Sequence, residues 1–287
     1  MLENNGFLLI DKPPGISSFD VIRRLRKITG IRKIGHTGTL DPFAAGLLIC
    51  ALGSYTRLCK YLEAEDKSYQ ALLKFGEETS TGDIEGEITR RSELVPTEIH
   101  VEKLSSAVLG LTELPIPQYS AVKIKGKPAY AYAREGTDIQ LGKRVVQIKS
   151  FEVLSCEPPY LSYSCRVSKG TYVRSLSEFI ARELGTVGHT VQLCRTAIGG
   201  IAMADAVSLD DLESDDLRSI FYPPAKLFPD HEHYYPDEEE AMKLSRGQSI
   251  QQRGEDRPAV ILFNGDGNLL GVAKRSGNML DPVVNLV

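Results

Sequence analysis

The pattern of apolar and polar positions along the chain predicts short strands and helices at its start. Gly6–Ile10 is an apolar run that ends at a Pro-Pro-Gly turn, and residues 46–53 form a second apolar run of strand length. Between the two runs, apolar residues recur at helical spacing from Ser17, a suitable N-cap, to Gly30, a suitable stop. The sequence therefore predicts a strand, a helix and a buried strand in this order.

Strand-like and helical patterns of apolar residues recur further along the chain. Residues 69–75 alternate between apolar and polar as a strand does, and residues 189–195 are also strand-like. Helical patterns cover residues 97–109 and 171–184, the latter followed by Gly185. Because strands and helices alternate irregularly, we predict an α+β fold rather than a doubly wound sheet.

The 287 residues suffice for one large domain or two smaller ones. We predict a large domain at residues 1–229 that folds alone and a small β-rich domain at residues 230–287. The acidic stretch Asp230–Glu240 is the expected linker, and residues 260–273 are expected to form a hairpin. Residues 118–147 are basic and lack a sustained period, so we expect a projecting excursion with a short helix.

Composition narrows the class of protein. Hydrophobic residues make up 42% and charged residues 25%, which is typical of a folded globular chain. No run of about eighteen uncharged apolar residues occurs, so we expect no membrane span and no secretory leader. The five cysteines include no C-x-x-C pair, and no histidines stand near them at zinc-site spacing. We therefore expect reduced thiols, a cytoplasmic location and no metal site.

The net charge of −4 conceals blocks of opposite sign. Residues 12–60 hold nine Lys or Arg against two acids, and residues 118–150 hold seven against two. Residues 205–240 instead hold twelve acids and two basic residues. This asymmetry indicates a polyanionic partner on one side of the molecule.

The loop Gly35–Gly46 is the strongest candidate for chemistry. It contains three glycines, two threonines, a histidine and a single acid, Asp41. Pro42 biases the backbone of Asp41 toward extended geometry, which would hold the carboxylate in a narrow range of directions, as a nucleophile needs. An ordinary Asp-Pro turn, whose carboxylate accepts backbone N–H groups, is the alternative.

This loop, with Ala44–Leu48, resembles the catalytic-aspartate motif of the TruB family of tRNA pseudouridine synthases. Five further blocks resemble the family in its order: Ile10–Ser18, Asp66–Tyr69, Thr81–Gly86, Tyr119–Lys123 with Tyr130, Ala133 and Arg134, and Ser168–Leu176. Together they span about residues 6–200. The resemblance implies a mixed-sheet pseudouridine synthase domain followed by a small β-rich, PUA-like RNA-binding domain.

The implied activity is that of a stand-alone enzyme, a monomer, which isomerises the uridine at tRNA position fifty-five, in the T-loop, to pseudouridine. The uracil is detached from its ribose, turned and rejoined through carbon, so no atom is gained or lost and no cofactor is implied. A base inside a folded loop has to be flipped out first. Whether the carboxylate adds to the ribose or to the uracil ring stays open at this point.

The resemblance also implies roles for particular residues. Asp41 would be the nucleophile, Arg174 would keep it charged and oriented, and Tyr69 would stack on the base and take part in proton transfer at the sugar. Those expected to bind substrate are His36, which would stack where the base has left, Leu193, which would close the pocket under it, and Lys12, Lys123 and Arg144.

Other interpretations stay open at this point. Tyr69 and Leu193 also suit an ordinary core, His36 a structural position, and the arginine at the helix start a solvated one. A non-catalytic protein that binds or folds RNA would share the basic blocks, and a guide-RNA-dependent relative would share the motifs. A glycoside hydrolase fits less well, because no second acid stands at a recognisable position in the motif loops.

Overall fold

The computed structural model describes residues 5–137, 139–212 and 220–286. In these ranges seven α-helices occur: α1 Ser18–Thr29, α2 Cys59–Glu63, α3 Val101–Leu109, α4 Ala129–Arg134, α5 Val173–Glu183, α6 Pro224–Leu227 and α7 Glu238–Ser245. The strands are β1 Gly6–Lys12, β2 Ile34–His36, β3 Ala45–Leu52, β4 Lys67–Phe75, β5 Glu77–Thr79, β6 Ile88–Arg91, β7 Glu113–Pro115, β8 Lys123–Ile124, β9 Lys127–Pro128, β10 Lys143–Val145, β11 Ile148–Glu157, β12 Tyr160–Val167, β13 Gly188–Ile198, β14 Ile201–Ala202, β15 Val207–Ser208, β16 Glu232–Tyr234, β17 Ile250–Gln251, β18 Arg257–Phe263, β19 Leu269–Ser276 and β20 Met279–Asn285.

A mixed nine-stranded sheet organises the larger part of the molecule. Its strand order is β11-β12-β4-β13-β3-β1-β15, with β14 beside β13 and β2 beside β3. The β13–β3 and β1–β15 pairs are parallel, whereas the other pairs are antiparallel. This mixed sheet with helices packed on it confirms the predicted α+β class.

Helix α1 forms where the sequence predicted it, for the predicted reasons. Ser17 is its N-cap, and with Asp20 it forms a capping box in which each side chain accepts the other residue's backbone N–H. At the other end Gly30 adopts the left-handed conformation with φ 69°, which ends the helix. These local contacts fix where the chain enters and leaves the helix.

Both faces of β1 and β3 are buried, which explains why the sequence shows continuous apolar runs there. Phe7, Leu9 and alternate residues of β3 face one apolar cluster. Leu8 and Ile10 face the other, in which α1 packs. The interior strand β3 is therefore packed on both of its faces.

The C-terminal part forms a separate five-stranded sheet of order β16-β18-β19-β20-β17. The predicted hairpin is confirmed as β18 and β19. The linker prediction is wrong, because Asp230–Glu240 contains β16, which pairs with β18, and the start of α7. Asp237 and Glu240 form a capping box there, so part of the acidic charge stabilises a helix start.

This second sheet shares a core with the first. In β18, Val260 and Leu262 face a cluster with α7, whereas Ile261 and Phe263 lie in the cluster that contains Phe7 of β1. A cut near residue 229 would expose that apolar surface to water, so we no longer expect residues 1–229 to fold well alone. The domain boundary at residue 230 itself stays a prediction.

The basic segment 118–147 contains the expected short helix, α4, after a small β8–β9 hairpin. Its return strand β10 pairs with β7, which closes the excursion at its base. Tyr132 and Tyr130 each lie beside a cation, Lys127 and Arg134 respectively.

Within the described ranges no helix is long and apolar enough to span a membrane.

The shared core predicts that the two sheets unfold together. Ile261→Ala removes buried methyl groups from the cluster between the sheets, so we expect a loss of about 2–5 kcal/mol in the free energy of unfolding. A single denaturation transition followed by circular dichroism should shift as a whole. Val283→Ala, in the same sheet but 46% exposed, should change stability by less than about 0.5 kcal/mol. Two transitions, of which only one moves, would contradict the shared core.

Candidate functional site

The candidate site is built on the loop between β2 and β3, which carries Asp41. Ser18 at the start of α1 holds this loop, because its hydroxyl accepts the Leu40 N–H at 2.9 Å and donates to the Leu40 carbonyl at 3.1 Å. The backbone after Asp41 is held as well, since the Gly15 N–H donates to the Pro42 carbonyl at 2.8 Å. The backbone on both sides of Asp41 is thus fixed by neighbouring elements.

Arg174, the second residue of α5, meets the Asp41 carboxylate. The two form an ion pair with Nε 2.9 Å from Oδ2, and the side chain of Arg174 is 3% exposed whereas that of Asp41 is 34% exposed. The guanidinium also donates to the carbonyls of Thr81 and Tyr119. A buried arginine with all these acceptors is rigid, so the predicted pairing is present and the solvated alternative for Arg174 is wrong.

A second carboxylate, Asp83, lies on the same guanidinium. Its Oδ2 is 3.3 Å from Nη1 of Arg174, and its other oxygen accepts from the Thr81 hydroxyl and the Glu85 N–H. Sequence reasoning gave Asp83 no role, although it lies in a quoted motif. Arg174 is thereby held from two sides, by an acid that is buried and by one that reaches solvent.

The surroundings of Asp41 set its protonation. Burial raises the pKa of the carboxyl, Arg174 opposes that rise, and the like charge of Asp83 adds to it. Because burial is the largest of these influences, the pKa of Asp41 lies above its ordinary value. The carboxylate is therefore held by a fixed cation and is only partly exposed to water.

Tyr69 and Leu193 lie side by side next to this loop. Tyr69 packs, partly buried, against the cluster that contains Leu193, Leu40 and Phe43. Tyr69 is close enough to Asp41 for that negative charge to raise the pKa of its hydroxyl, although burial is the largest cause. The structure thus brings together Asp41, Tyr69, Leu193 and the arginine that pairs with Asp41.

His36 ends β2, two residues before the glycine turn of the loop. Its Nδ1 accepts the Gly38 N–H at 3.3 Å. Burial, and secondly the positive charge of Arg195, lower the pKa of the imidazole, so the ring is neutral at neutral pH. A neutral, flat ring at the base of the loop is able to stack on a nucleobase.

The prediction that Lys12 binds substrate is wrong. Its side chain is fully buried, and Nζ donates to the carbonyls of Pro13, Ile16 and Pro42. These acceptors occupy the three hydrogens of the ammonium group, and burial lowers its pKa to about 8. Lys12 therefore fixes the backbone after Asp41 instead of reaching a ligand.

Lys123 and Arg144, by contrast, are exposed and free to meet a ligand from the basic segment. Arg144 lies against Gly170, where an added Cβ would come within 2.6 Å of the guanidinium carbon. Gly170 precedes the helix of Arg174 by three residues, so Arg144 lies close to the start of that helix. Tyr119, at the start of the segment, supplies a carbonyl to Arg174 and so connects the segment with the centre.

Arg195 on β13 is the residue that sequence analysis missed most clearly. It is 1% exposed and donates from Nε to the Leu47 carbonyl at 2.8 Å and from Nη2 to the Gly38 carbonyl at 3.0 Å. The available signal was a charged residue inside an otherwise strand-like stretch, which points to a buried or functional position.

Within the described ranges no group of three or more His, Cys, Asp or Glu side chains could hold a metal ion.

Comparison with known proteins gives the family. Residues 26–173 match the family described as TruB family pseudouridylate synthase (N terminal domain). The chain is 36% identical over 281 residues to tRNA pseudouridine synthase B of Thiobacillus denitrificans, covering 97% of this chain and 94% of that protein. It is 41% identical over 213 residues to the protein of the same name from Caldicellulosiruptor saccharolyticus, covering 74% of each chain.

Among solved structures, the chain resembles one of an H/ACA RNP bound to a substrate RNA containing 2'-deoxyuridine. The TM-score is 0.72 at 22% sequence identity, and the match covers 98% of this chain and 85% of that one. At that level of identity the likeness concerns the fold. It confirms the predicted architecture across both sheets.

The carboxylate pair around Arg174 predicts a specific titration. Asp83→Asn removes the like charge beside Asp41, so the pKa of the Asp41 carboxyl should fall. Carbon-detected NMR of labelled aspartate, with the Asp41 resonance assigned by its loss in Asp41→Asn, measures the shift. Glu183→Gln, which alters an exposed acid at the far end of the same helix, should leave the Asp41 titration nearly unchanged. An unchanged or higher pKa in Asp83→Asn would contradict this electrostatic account.

Proposed function

The chain belongs to the TruB family of pseudouridylate synthases, and we propose that it is a stand-alone tRNA pseudouridine synthase that isomerises the uridine at position fifty-five in the T-loop. The observation that carries the proposal is the Asp41–Arg174 ion pair of 2.9 Å. Asp41 lies on a loop whose backbone is held by hydrogen bonds, and Tyr69 packs next to that loop. The curated relatives of 36% and 41% identity are tRNA pseudouridine synthases, which favours tRNA over a guided RNA substrate.

Exchanging an N-glycosidic for a C-glycosidic bond requires a group that attacks and later leaves. A carboxylate suits this role, because its anion is a nucleophile when water is excluded and also a competent leaving group. Asp41 has one face on Arg174 and enough exposure, 34% of its side chain, to meet a ligand. Arg174 would keep the carboxylate ionised and aimed while the substrate displaces water.

Two side chains would receive the uracil. Tyr69 offers the face of its ring for stacking and its hydroxyl for proton transfer at the sugar, and Leu193 would support the base from below. The uracil can contact Tyr69 and Leu193 only after it has left the T-loop, so base flipping is part of the proposal. The neutral ring of His36 would stack where the base has left, since stacking on the RNA side of the pocket needs no charge.

Phosphates of the T-arm would meet the exposed basic residues. Lys123 and Arg144 belong to the excursion that closes at β10, and Arg144 lies against Gly170, just before the helix of Arg174. The C-terminal sheet is proposed as a further RNA contact. The enzyme would act as a monomer in the cytoplasm. It would need no metal or organic cofactor, because the carboxylate carries out the reaction and the reaction involves no redox change.

Asp41→Asn should lower turnover by a factor of about ten thousand or more, because it removes the attacking charge and keeps the size of the side chain. The assay is chemical mapping of pseudouridine in a tRNA transcript incubated with pure protein and no guide RNA. Binding of the transcript should survive the substitution, and Asp266→Asn, in an exposed turn, should react at the normal rate. Near-normal product formation by Asp41→Asn would remove Asp41 from the mechanism.

Tyr69→Phe should bind tRNA with little change and react more slowly, because stacking is kept and the hydroxyl is lost. Tyr69→Leu should impair both, since the aromatic face is lost as well. Tyr163→Phe is the matched control: it removes another buried hydroxyl, bonded to Ser177 at 2.7 Å, from the neighbouring strand. We expect it to affect stability and leave the single-turnover rate unchanged. Equal rates for Tyr69→Phe and wild type would limit Tyr69 to stacking.

A further inference from the structure

Arg195 is a buried cation without a carboxylate partner among the described residues. Its side chain is one of the largest that are fully buried, at 1% exposure. Its two fixed acceptors are both main-chain carbonyls, those of Leu47 and Gly38. Burying a charge without a counter-ion is unfavourable, and an apolar side chain of similar volume would fill the same space more cheaply. Packing alone therefore does not account for an arginine at this place.

The position of Arg195 in the sheet directs its side chain to Tyr69. The two residues are direct cross-strand partners between β13 and β4, which places their Cβ atoms about 5 Å apart on the same face. The register shifts immediately afterwards, between Arg195 and Ala197. Such irregularities re-aim side chains and are common next to active sites. The guanidinium uses two donors on the carbonyls, which leaves further N–H groups for the Tyr69 oxygen.

On the other side of β13, the backbone of Arg195 lies directly against Gly46 of β3. A Cβ at Gly46, where φ is +102°, would come within 2.4 Å of the Arg195 carbonyl oxygen. Strand β13 therefore approaches β3 as closely as only a glycine permits, and the guanidinium reaches the carbonyls of Leu47 and Gly38 from there. The guanidinium thus extends from strand β13 and is held by strand β3 at Leu47 and by the Asp41 loop at Gly38.

The charge of Arg195 is felt by the groups around it. Burial is the largest cause of the lowered pKa values of His36, Lys12 and Lys67, and the positive charge of Arg195 lowers each of them further. Arg195 also lowers the pKa of Tyr69, both through its charge and through a hydrogen bond, against the larger opposing effect of burial. Tyr69 is the member of this group that lies next to Asp41 and carries a hydroxyl.

We propose that Arg195 is a positioning residue that holds the Tyr69 hydroxyl in place for the reaction at the sugar. Two carbonyls fix the guanidinium, and the guanidinium in turn fixes the phenol oxygen by donating to it. A flipped base would then meet a tyrosine whose hydroxyl is already oriented beside Asp41. This inference rests on the proposed function, since it assigns a part in the reaction to that hydroxyl.

A double-mutant cycle tests whether Arg195 acts through the hydroxyl. Arg195→Lys keeps the charge and loses the planar fork, so it should lower the single-turnover rate on the tRNA transcript by about tenfold or more. In a Tyr69→Phe background the same change should cost less than about threefold, because the hydroxyl on which it acts is gone. Arg275→Lys, at a buried arginine paired with Glu232 in the C-terminal sheet, is the control and should keep the wild-type rate.

A second measurement needs no activity. Proteins labelled at the tyrosine Cζ are titrated by NMR, and the Tyr69 signal is assigned by its absence in Tyr69→Phe. Arg195→Met, or Arg195→Lys if the methionine variant does not fold, should raise the pKa of Tyr69 or broaden its signal through loss of a fixed position. Circular dichroism confirms that the variants are folded.

Two results would overturn the proposal. Equal rate losses in the wild-type and Tyr69→Phe backgrounds would make Arg195 a structural residue that acts independently of the hydroxyl. An unchanged Tyr69 titration in both Arg195 variants would show that the two groups do not interact. A wild-type protein that forms no pseudouridine in any tRNA would instead refute the proposed function, and the titration would still decide the contact between Arg195 and Tyr69.

Discussion

The buried guanidinium of Arg174 is the contact on which the arrangement of this site depends. It joins four segments that are far apart in the sequence: the Asp41 loop, the loop with Thr81 and Asp83, the start of the basic excursion at Tyr119, and helix α5. Removing a partner from such a centre leaves a buried charge or dipole unsatisfied, which costs more than the bond itself contributes. The orientation of the Asp41 carboxylate is therefore set by segments outside its own loop as well as by the loop itself.

Other polar side chains hold the Asp41 loop through hydrogen bonds to its main chain. Lys12 donates to the Pro42 carbonyl, Arg195 to the Gly38 carbonyl, and Ser18 bonds both polar groups of the Leu40 backbone. A loop rich in glycine is mobile by itself, since glycine loses more conformational freedom on ordering than any other residue. Side chains from three different elements remove that freedom before a ligand arrives. This is preorganisation, which lowers the reorganisation required during the reaction.

How far the sequence predicted this molecule depended on whether the relevant interaction was local. Helix α1, with its serine cap and terminal glycine, and the hairpin of β18 and β19 were predictable because their signals lie within a few residues. The acidic stretch before residue 240 was misinterpreted, because charge was given more weight than the Asp237–Glu240 capping box. The burial of Lys12 and the contacts of Asp83 and Arg195 could not be predicted from periodicity, since a side chain that bonds a distant group leaves no periodic trace. For Arg195 the available signal was a charged residue within a strand-like stretch.

Buried positive charges lie around the acids of the site. The chain as a whole carries −4, yet the acids Asp41 and Asp83 are surrounded by the buried cations Lys12, Arg174 and Arg195. All three cations are held by main-chain carbonyls, and Arg174 is in addition paired with the carboxylates of Asp41 and Asp83. These buried cations lie close to a carboxylate whose side chain is 34% exposed. They oppose the repulsion that the acids of the site would otherwise exert on a polyanionic RNA.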